Sequence, residues 1–156
     1  MSDPDLLARA VELSRVHSEA GEGGPFGAVV ATSDGRIVAE GWNQVLSHGD
    51  PTAHAEVVAI LRAAEALGTH VLAGHVMYAS CEPCPMCLAA VAWARMDRIV
   101  FANSRHDAAR IGFDDAKIYE EIGRPLDQRW IACERVQMPE AEAVFDEWLA
   151  RNGTIY

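Results

Sequence analysis

The chain is short of positive charge. Thirteen lysines and arginines face 23 aspartates and glutamates, a net charge of −10 over 156 residues. Nonspecific grip on nucleic acid comes from Lys and Arg neutralising phosphates, so this balance argues against a nucleic-acid partner and fits a solvated acidic surface. Long apolar runs are also missing. None reaches the roughly 20 residues that a membrane-spanning helix needs. The opening "MSDPDLLARA" has neither a basic n-region nor an apolar h-region, so no secretory signal is expected. These absences predict a soluble cytoplasmic protein without a membrane partner. The four cysteines are too few and too bunched for a disulfide framework.

What is present suits one core. Half of the residues are hydrophobic, and the length fits a single domain, 1–156. A first helix is expected from about Pro4 to Ala20, capped by Ser2 or Asp3. "GEGGPFG" breaks it, and Gly24 and Gly27 are placed for close backbone approach. "FGAVVA", "DG" and "RIVAEGWN" read as strand, tight turn and strand. An Ala-rich helix follows from Ala53 to Leu67 and stops at Gly68. "HVMYAS" is the next strand, then a helix from about Pro85 to Arg95, then the strand "RIVFAN". "RHDAARIGFDD" reads as a loop, "AKIYEEIG" as a helix and "RWIACERVQ" as a strand that buries Cys133. "PEAEAVFDEWLARNG" is the last helix, with Val144, Phe145, Trp148 and Leu149 on one face. Strands alternating with helices predict an α/β layered fold with a mixed sheet.

Chemistry concentrates in "SCEPCPMCLAA", which carries Cys81, Cys84 and Cys87. Pro83 keeps Glu82 out of helical geometry, so a helix starts near Cys84 and leaves Cys81 on the strand end. Cys84 and Cys87 share a face of the first turn, where the helix N-terminus favours thiolates. His54 in "DPTAHAEVVAI" is the best third ligand. A Cys₂His set leaves one zinc position open for water, as hydrolysis requires. Glu56, two residues beyond His54, is placed to carry a proton without binding the metal. The competing readings are a redox Cys-x-x-Cys pair, and a structural zinc closed by Cys81 in a non-catalytic interaction module. The combination His54-Ala55-Glu56 with Pro83-Cys84-Pro85-Met86-Cys87 is the H-x-E…P-C-x-x-C signature known for zinc nucleobase deaminases.

On these residues the chain resembles the cytidine deaminase superfamily of zinc enzymes. "GGPFGAVV", "DPTAHAEVVAI", "SCEPCPMCLAAVAWAR" and "GFDDAKIYEEI" together look like the bacterial guanine deaminases. The tRNA adenosine deaminases share the zinc elements but typically carry a non-cysteine where Cys81 stands. Plant guanosine deaminases are similar to the same group. The resemblance implies a three-layer α/β/α fold with a five-stranded mixed sheet, one Zn²⁺ per subunit and a homodimer. It also allows exchange of the C-terminal segment, about 139–156, between subunits, with Tyr156 capping an active site.

The reaction so implied is hydrolysis of a small-molecule purine base, guanine, to xanthine and ammonia. Zinc-bound hydroxide attacks C2, and Glu56 shuttles the proton. The backbone amide of Cys84, at a helix start, can steady the metal-bound oxygen. Asn43 ends the second strand, and its amide can donate and accept against a purine edge. Asp114 and Asp115 can accept ring and amine protons of guanine. Asp115 is the preferred contact, since one of the two can cap the next helix. Phe26 can wall the pocket. Trp93, on the cysteine helix, either stacks on substrate or fills the core. Glu82 reads as supportive, and the other five histidines, His17 and His48 among them, lack a comparable context.

Overall fold

The computed structural model describes residues 1–156. Ser2 opens helix α1 (Asp3–Glu19), with Asp5 accepting both its N–H at 2.9 Å and its hydroxyl at 2.7 Å. That closes a capping box, and Pro4 sits in the first turn, where no N–H is needed. Strands β1 (Gly27–Thr32) and β2 (Ile37–Trp42) form the expected hairpin. A four-residue helix α2 (Val45–His48) follows. Helix α3 (Ala55–Leu67) ends on left-handed Gly68. Strand β3 (His75–Cys81), helix α4 (Pro85–Trp93) and strand β4 (Arg98–Asn103) follow. Helix α4 stops two residues before the expected Arg95, whose φ of 61° is left-handed. Helix α5 (Arg105–Arg110) lies inside the expected "RHDAARIGFDD" loop. Ser104 and Asp107 form a second capping box that starts it. Helices α6 (Ala116–Ile122) and α7 (Pro139–Ala150) complete the chain.

The sheet order is β2-β1-β3-β4. Strand β1 is antiparallel to β2 and β3, while β3 and β4 run parallel, so the sheet is mixed. Alternate residues of β1 divide between its faces. Val29 and Ala31 join Leu6, Ala10 and Leu13 of α1 in one buried cluster. Ala28 and Val30 join Ala55, Ala59 and Ala63 of α3 and Val91 of α4 in the other. Helices thus cover both faces of an α/β/α arrangement. Each fully buried side chain of Leu6 or Met77 type contributes about 1.5–3 kcal/mol by leaving water. Glycines set the spacing: a Cβ at Gly41 would overlap Ala55 O of α3, and one at Gly27 would overlap Ala10 O of α1. Both helices therefore press directly on the strand backbone.

The chain divides into two units, Met1–Ala116 and Lys117–Tyr156. The first holds the whole sheet and both core clusters. The expected five-stranded sheet is corrected to four strands. "RWIACERVQ" forms no strand, and its Ile131 and Val136 are exposed. Branched side chains favour a strand there, but a strand forms only where a neighbour takes its N–H and C=O groups. For the same reason Cys133, expected to be buried in that strand, is exposed. Within the second unit, α7 exposes Val144, Phe145 and Leu149.

Candidate metal centre and active site

Two helix starts converge. His54 is the residue before α3, and Cys84 is the residue before α4; both have extended backbones that turn their side chains across the helix mouth. Cys87 lies in the first turn of α4 and is completely buried. His54 Nδ1 stands 3.5 Å from Cys84 Sγ and 3.5 Å from Cys87 Sγ. The three donor atoms lie within 4.8 Å of one another and could hold one metal ion. The spacing fits zinc. Tetrahedral bonds of about 2.3 Å to sulfur and 2.0–2.1 Å to nitrogen put S and N about 3.5 Å apart.

The electrostatics fit a cation too. Donation from Cys87 pulls the Cys84 thiol down to about 4, with the His54 ring adding to the effect. The same contact, followed by burial, pushes Cys87 up. His54 is raised chiefly by its contact with Cys84. The sulfurs compete for one proton, and a cation against both removes that conflict.

Cys81 stays outside the trio. Its thiol donates to Ser104 O at 3.5 Å, and burial followed by the Glu56 charge pushes it up to about 11. Its sulfur is directed at a carbonyl and is not among the three grouped donor atoms. Glu82 holds the same junction: its N–H donates to Asn103 O at 2.8 Å, and its carboxylate accepts the Arg105 N–H at 3.0 Å. The end of β3 is thereby pinned to the start of α5.

Glu56 is buried on the first turn of α3, and burial above all raises its carboxyl above the ordinary range. It accepts a hydrogen bond from Cys87 Sγ at 3.4 Å. An ionisable carboxyl therefore adjoins the ligand trio.

Asn43 is buried just beyond β2. Its Oδ1 accepts from Gly24 N and Val45 N, each at 3.2 Å. Both lone pairs are taken, which leaves the NH₂ group as the side chain's remaining polar function. The sequence suggested that this amide would both donate and accept; in the structure its oxygen is already engaged by two backbone N–H groups. Gly23 is packed so closely on Asn43 that a Cβ there would overlap its Oδ1.

The aspartates separate. Asp114 Oδ1 accepts from Ala116 N at 3.0 Å and opens α6. Asp115 is half-buried, and its carboxyl is raised first by burial and then by the Cys84 charge. Phe26 meets Phe113 edge to face, with ring centroids 5.0 Å apart. Phe113 went unnoticed in the sequence, although "GFDD" contains it. Trp93 closes α4, nine residues and about 13 Å along the axis from Cys84. It is exposed, so the core-filling option is removed. Tyr156 lies in the second unit and is exposed.

Comparison with known proteins agrees with this site. Guanine deaminase of Bacillus subtilis (strain 168) is 47% identical over 148 residues, covering 95% of this chain and 94% of that one. A crystal structure of B. subtilis guanine deaminase matches with a TM-score of 0.93 at 46% identity, covering 100% of this chain and 98% of the other. A mutant of the protein NE0047 in complex with 8-azaguanine matches with a TM-score of 0.71 at 33% identity, covering 81% and 69%. The tRNA-specific adenosine deaminase of Haemophilus influenzae is 36% identical over 121 residues, covering 74% of this chain and 69% of its own. Residues 1–103, which contain both helix mouths and all three candidate ligands, match the cytidine and deoxycytidylate deaminase zinc-binding region, and the chain belongs to that family of zinc deaminases.

Proposed function

We propose that this chain is a zinc-dependent guanine aminohydrolase that converts guanine and water to xanthine and ammonia. The observation that carries the reading is the His54–Cys84–Cys87 trio with buried Glu56 against it and Cys81 turned away. Three protein ligands leave room for a reactant, as hydrolysis needs and a structural site does not. Bound zinc lowers the pKa of a coordinated water to about 7 and so supplies the nucleophile.

The rest falls to the chain's own groups. Glu56 takes the first proton from the attacking water and gives it to N3 as the oxygen bonds to C2. It then takes the second proton from the C2 hydroxyl and gives it to the amine, so that the exocyclic C2–N bond breaks, ammonia leaves and the C2 carbonyl of xanthine remains. Its burial suits this work, because burial raises the carboxyl above its ordinary range and makes the carboxylate a better proton acceptor. Cys84 also opens α4, whose positive end favours negative charge developing at that mouth. The Asn43 NH₂ donates to an acceptor on the purine edge, and Asp115 accepts from ring and amine N–H groups. Guanine offers both kinds of partner, whereas adenine places a donor where guanine has the O6 acceptor. Phe26, braced by Phe113, walls the base.

The proposal includes a homodimer, with 139–156 exchanged between subunits as part of one deaminase domain and Tyr156 closing a site. The exposed apolar residues of α7 support it, since Val144, Phe145 and Leu149 would otherwise face water. No helix is long and apolar enough to cross a membrane.

The test is ammonia release by the zinc-loaded protein from guanine, guanosine, cytosine, cytidine and adenine, with xanthine identified as the product. Guanine is expected to give the highest kcat/KM. Faster turnover of guanosine or another substrate would replace guanine, and no turnover of any would return the protein to a binding role.

A further inference from the structure

The glycine-rich loop between α1 and β1 leans on Asn43, and one carboxylate holds the loop in place. Glu22 Oε1 accepts from His17 Nδ1 at 2.8 Å, and Glu22 Oε2 accepts from Trp42 Nε1 at 2.6 Å. A carboxylate has no proton to give here, because the His17 and Trp42 contacts hold it below the ordinary range. The His17 and Trp42 rings are stacked, with centroids 3.6 Å apart and planes 4° from parallel. Arg62 of α3 sits over the same indole at 4.3 Å and donates to Glu40 O at 2.9 Å. Glu22 O also accepts from Ser47 N of α2 at 2.9 Å. Three elements, α1, β2 and α2, therefore meet on Glu22.

The neighbours of this cluster belong to the pocket. Trp42 precedes Asn43, and Glu22 precedes Gly23 and Gly24. Gly23 touches Asn43 with no room for a Cβ, Gly24 N donates to Asn43 Oδ1 at 3.2 Å, and Asn43 N donates to Phe26 O at 3.0 Å. Glu22 thus clamps both strands of this contact one residue upstream: the loop side through its own backbone and the β2 side through the Trp42 indole. The His17–Glu22 pair is partly open to solvent, while Trp42 packs against the core cluster on the α1 side of the sheet. A core role alone does not account for a stacked His–Trp pair sharing one carboxylate.

We propose that Glu22 is a positioning residue for purine recognition. It holds Gly23–Phe26 against Asn43, so that Asn43 Oδ1 stays turned inward and its NH₂ stays turned to the ligand. This rests on the guanine reading above. Without the carboxylate the loop retreats, Oδ1 loses the Gly24 donor, and the amide is free to rotate. Substrate binding then suffers more than the chemical step, because His54, Cys84, Cys87 and Glu56 are held by the starts of α3 and α4 rather than by the loop.

The test compares Glu22→Ala, Glu22→Gln and Trp42→Phe in the zinc-loaded protein. Glu22→Ala is expected to raise KM for guanine roughly tenfold with kcat within about twofold. Glu22→Gln is expected to restore most of the loss, since its amide can accept from the indole and donate to a neutral imidazole. Trp42→Phe keeps a stacking ring but loses the Nε1–H donor; it should raise KM similarly and add little to Glu22→Ala. Hydrogen exchange at the Gly24 amide should speed up in Glu22→Ala while amides of β1 and β3 stay protected. An unchanged KM and an unchanged Gly24 exchange rate in both Glu22→Ala and Trp42→Phe would overturn the inference. If the parent protein does not turn over guanine, the substrate assignment fails separately, and Gly24 exchange still decides whether Glu22 holds the loop.

Discussion

His54 and Cys84 stand 30 residues apart in sequence and 3.5 Å apart in space, each as the residue that opens a helix. The pairing explains why a metal site forms where α3 and α4 begin. Extended backbone turns each side chain across its own helix mouth, and the helix dipoles favour the sulfur charge. Cys81, on the strand end, lies outside the group of three donors. Cys81→Ser should therefore keep one zinc per chain, while Cys87→Ser should lose it. Metal analysis of the purified variants checks this, and loss of zinc from Cys81→Ser would contradict the open three-ligand site.

Glu56 touches Cys87 but is not one of the three donors. Glu56→Gln should leave zinc content and fold unchanged and lower kcat about 10²–10⁴-fold, the usual contribution of a positioned acid–base group. Steady-state kinetics with metal analysis on the same sample checks it. A variant with nearly full kcat would remove Glu56 from proton transfer.

Asn43 spends its oxygen on the Gly24 and Val45 amides. Asn43→Asp keeps that oxygen and replaces the NH₂ with a second acceptor. The fold should survive, and KM for guanine should rise roughly tenfold to a hundredfold, since a lost hydrogen bond that leaves two acceptors face to face costs about 1–3 kcal/mol. An unchanged KM would show that the amide does not meet the base.

Most of the metal site could be read from the sequence because its information is local. Pro83 and Pro85 fix where α4 starts, and His54 and Glu56 fall at the start of an Ala-rich run. The cap of α5 was local too, in Ser104-x-x-Asp107, but polar residues and a glycine made the stretch read as a loop. The fifth strand illustrates the opposite limit. "RWIACERVQ" has the branched residues of a strand, and whether it forms one depends on a neighbour that its own sequence does not specify. Glu22 was hidden for a similar reason. Its partners, His17 and Trp42, are five and twenty residues away on different elements, and only the folded hairpin brings them onto one carboxylate.

Asp3, at the start of α1, accepts from Tyr78 OH at 2.6 Å and from two nitrogens of Arg98 at 2.9 Å. It ties that helix to β3 and β4. Arg98 first, and then Tyr78, hold its carboxyl below the ordinary 3.8. A carboxyl depressed in the folded state adds stability that is complete above its unfolded value and is lost as pH falls through the folded one. Thermal melting of Asp3→Asn beside the parent protein should therefore show a lower Tm for the variant at pH 6–7. The gap should begin to close below about pH 4 and shrink steadily as the medium becomes more acid. The pair is partly exposed, so added salt should narrow the neutral-pH gap as well. A gap that kept its size from pH 7 to pH 2 would mean that Asp3 acts by shape and helix capping rather than through its charge.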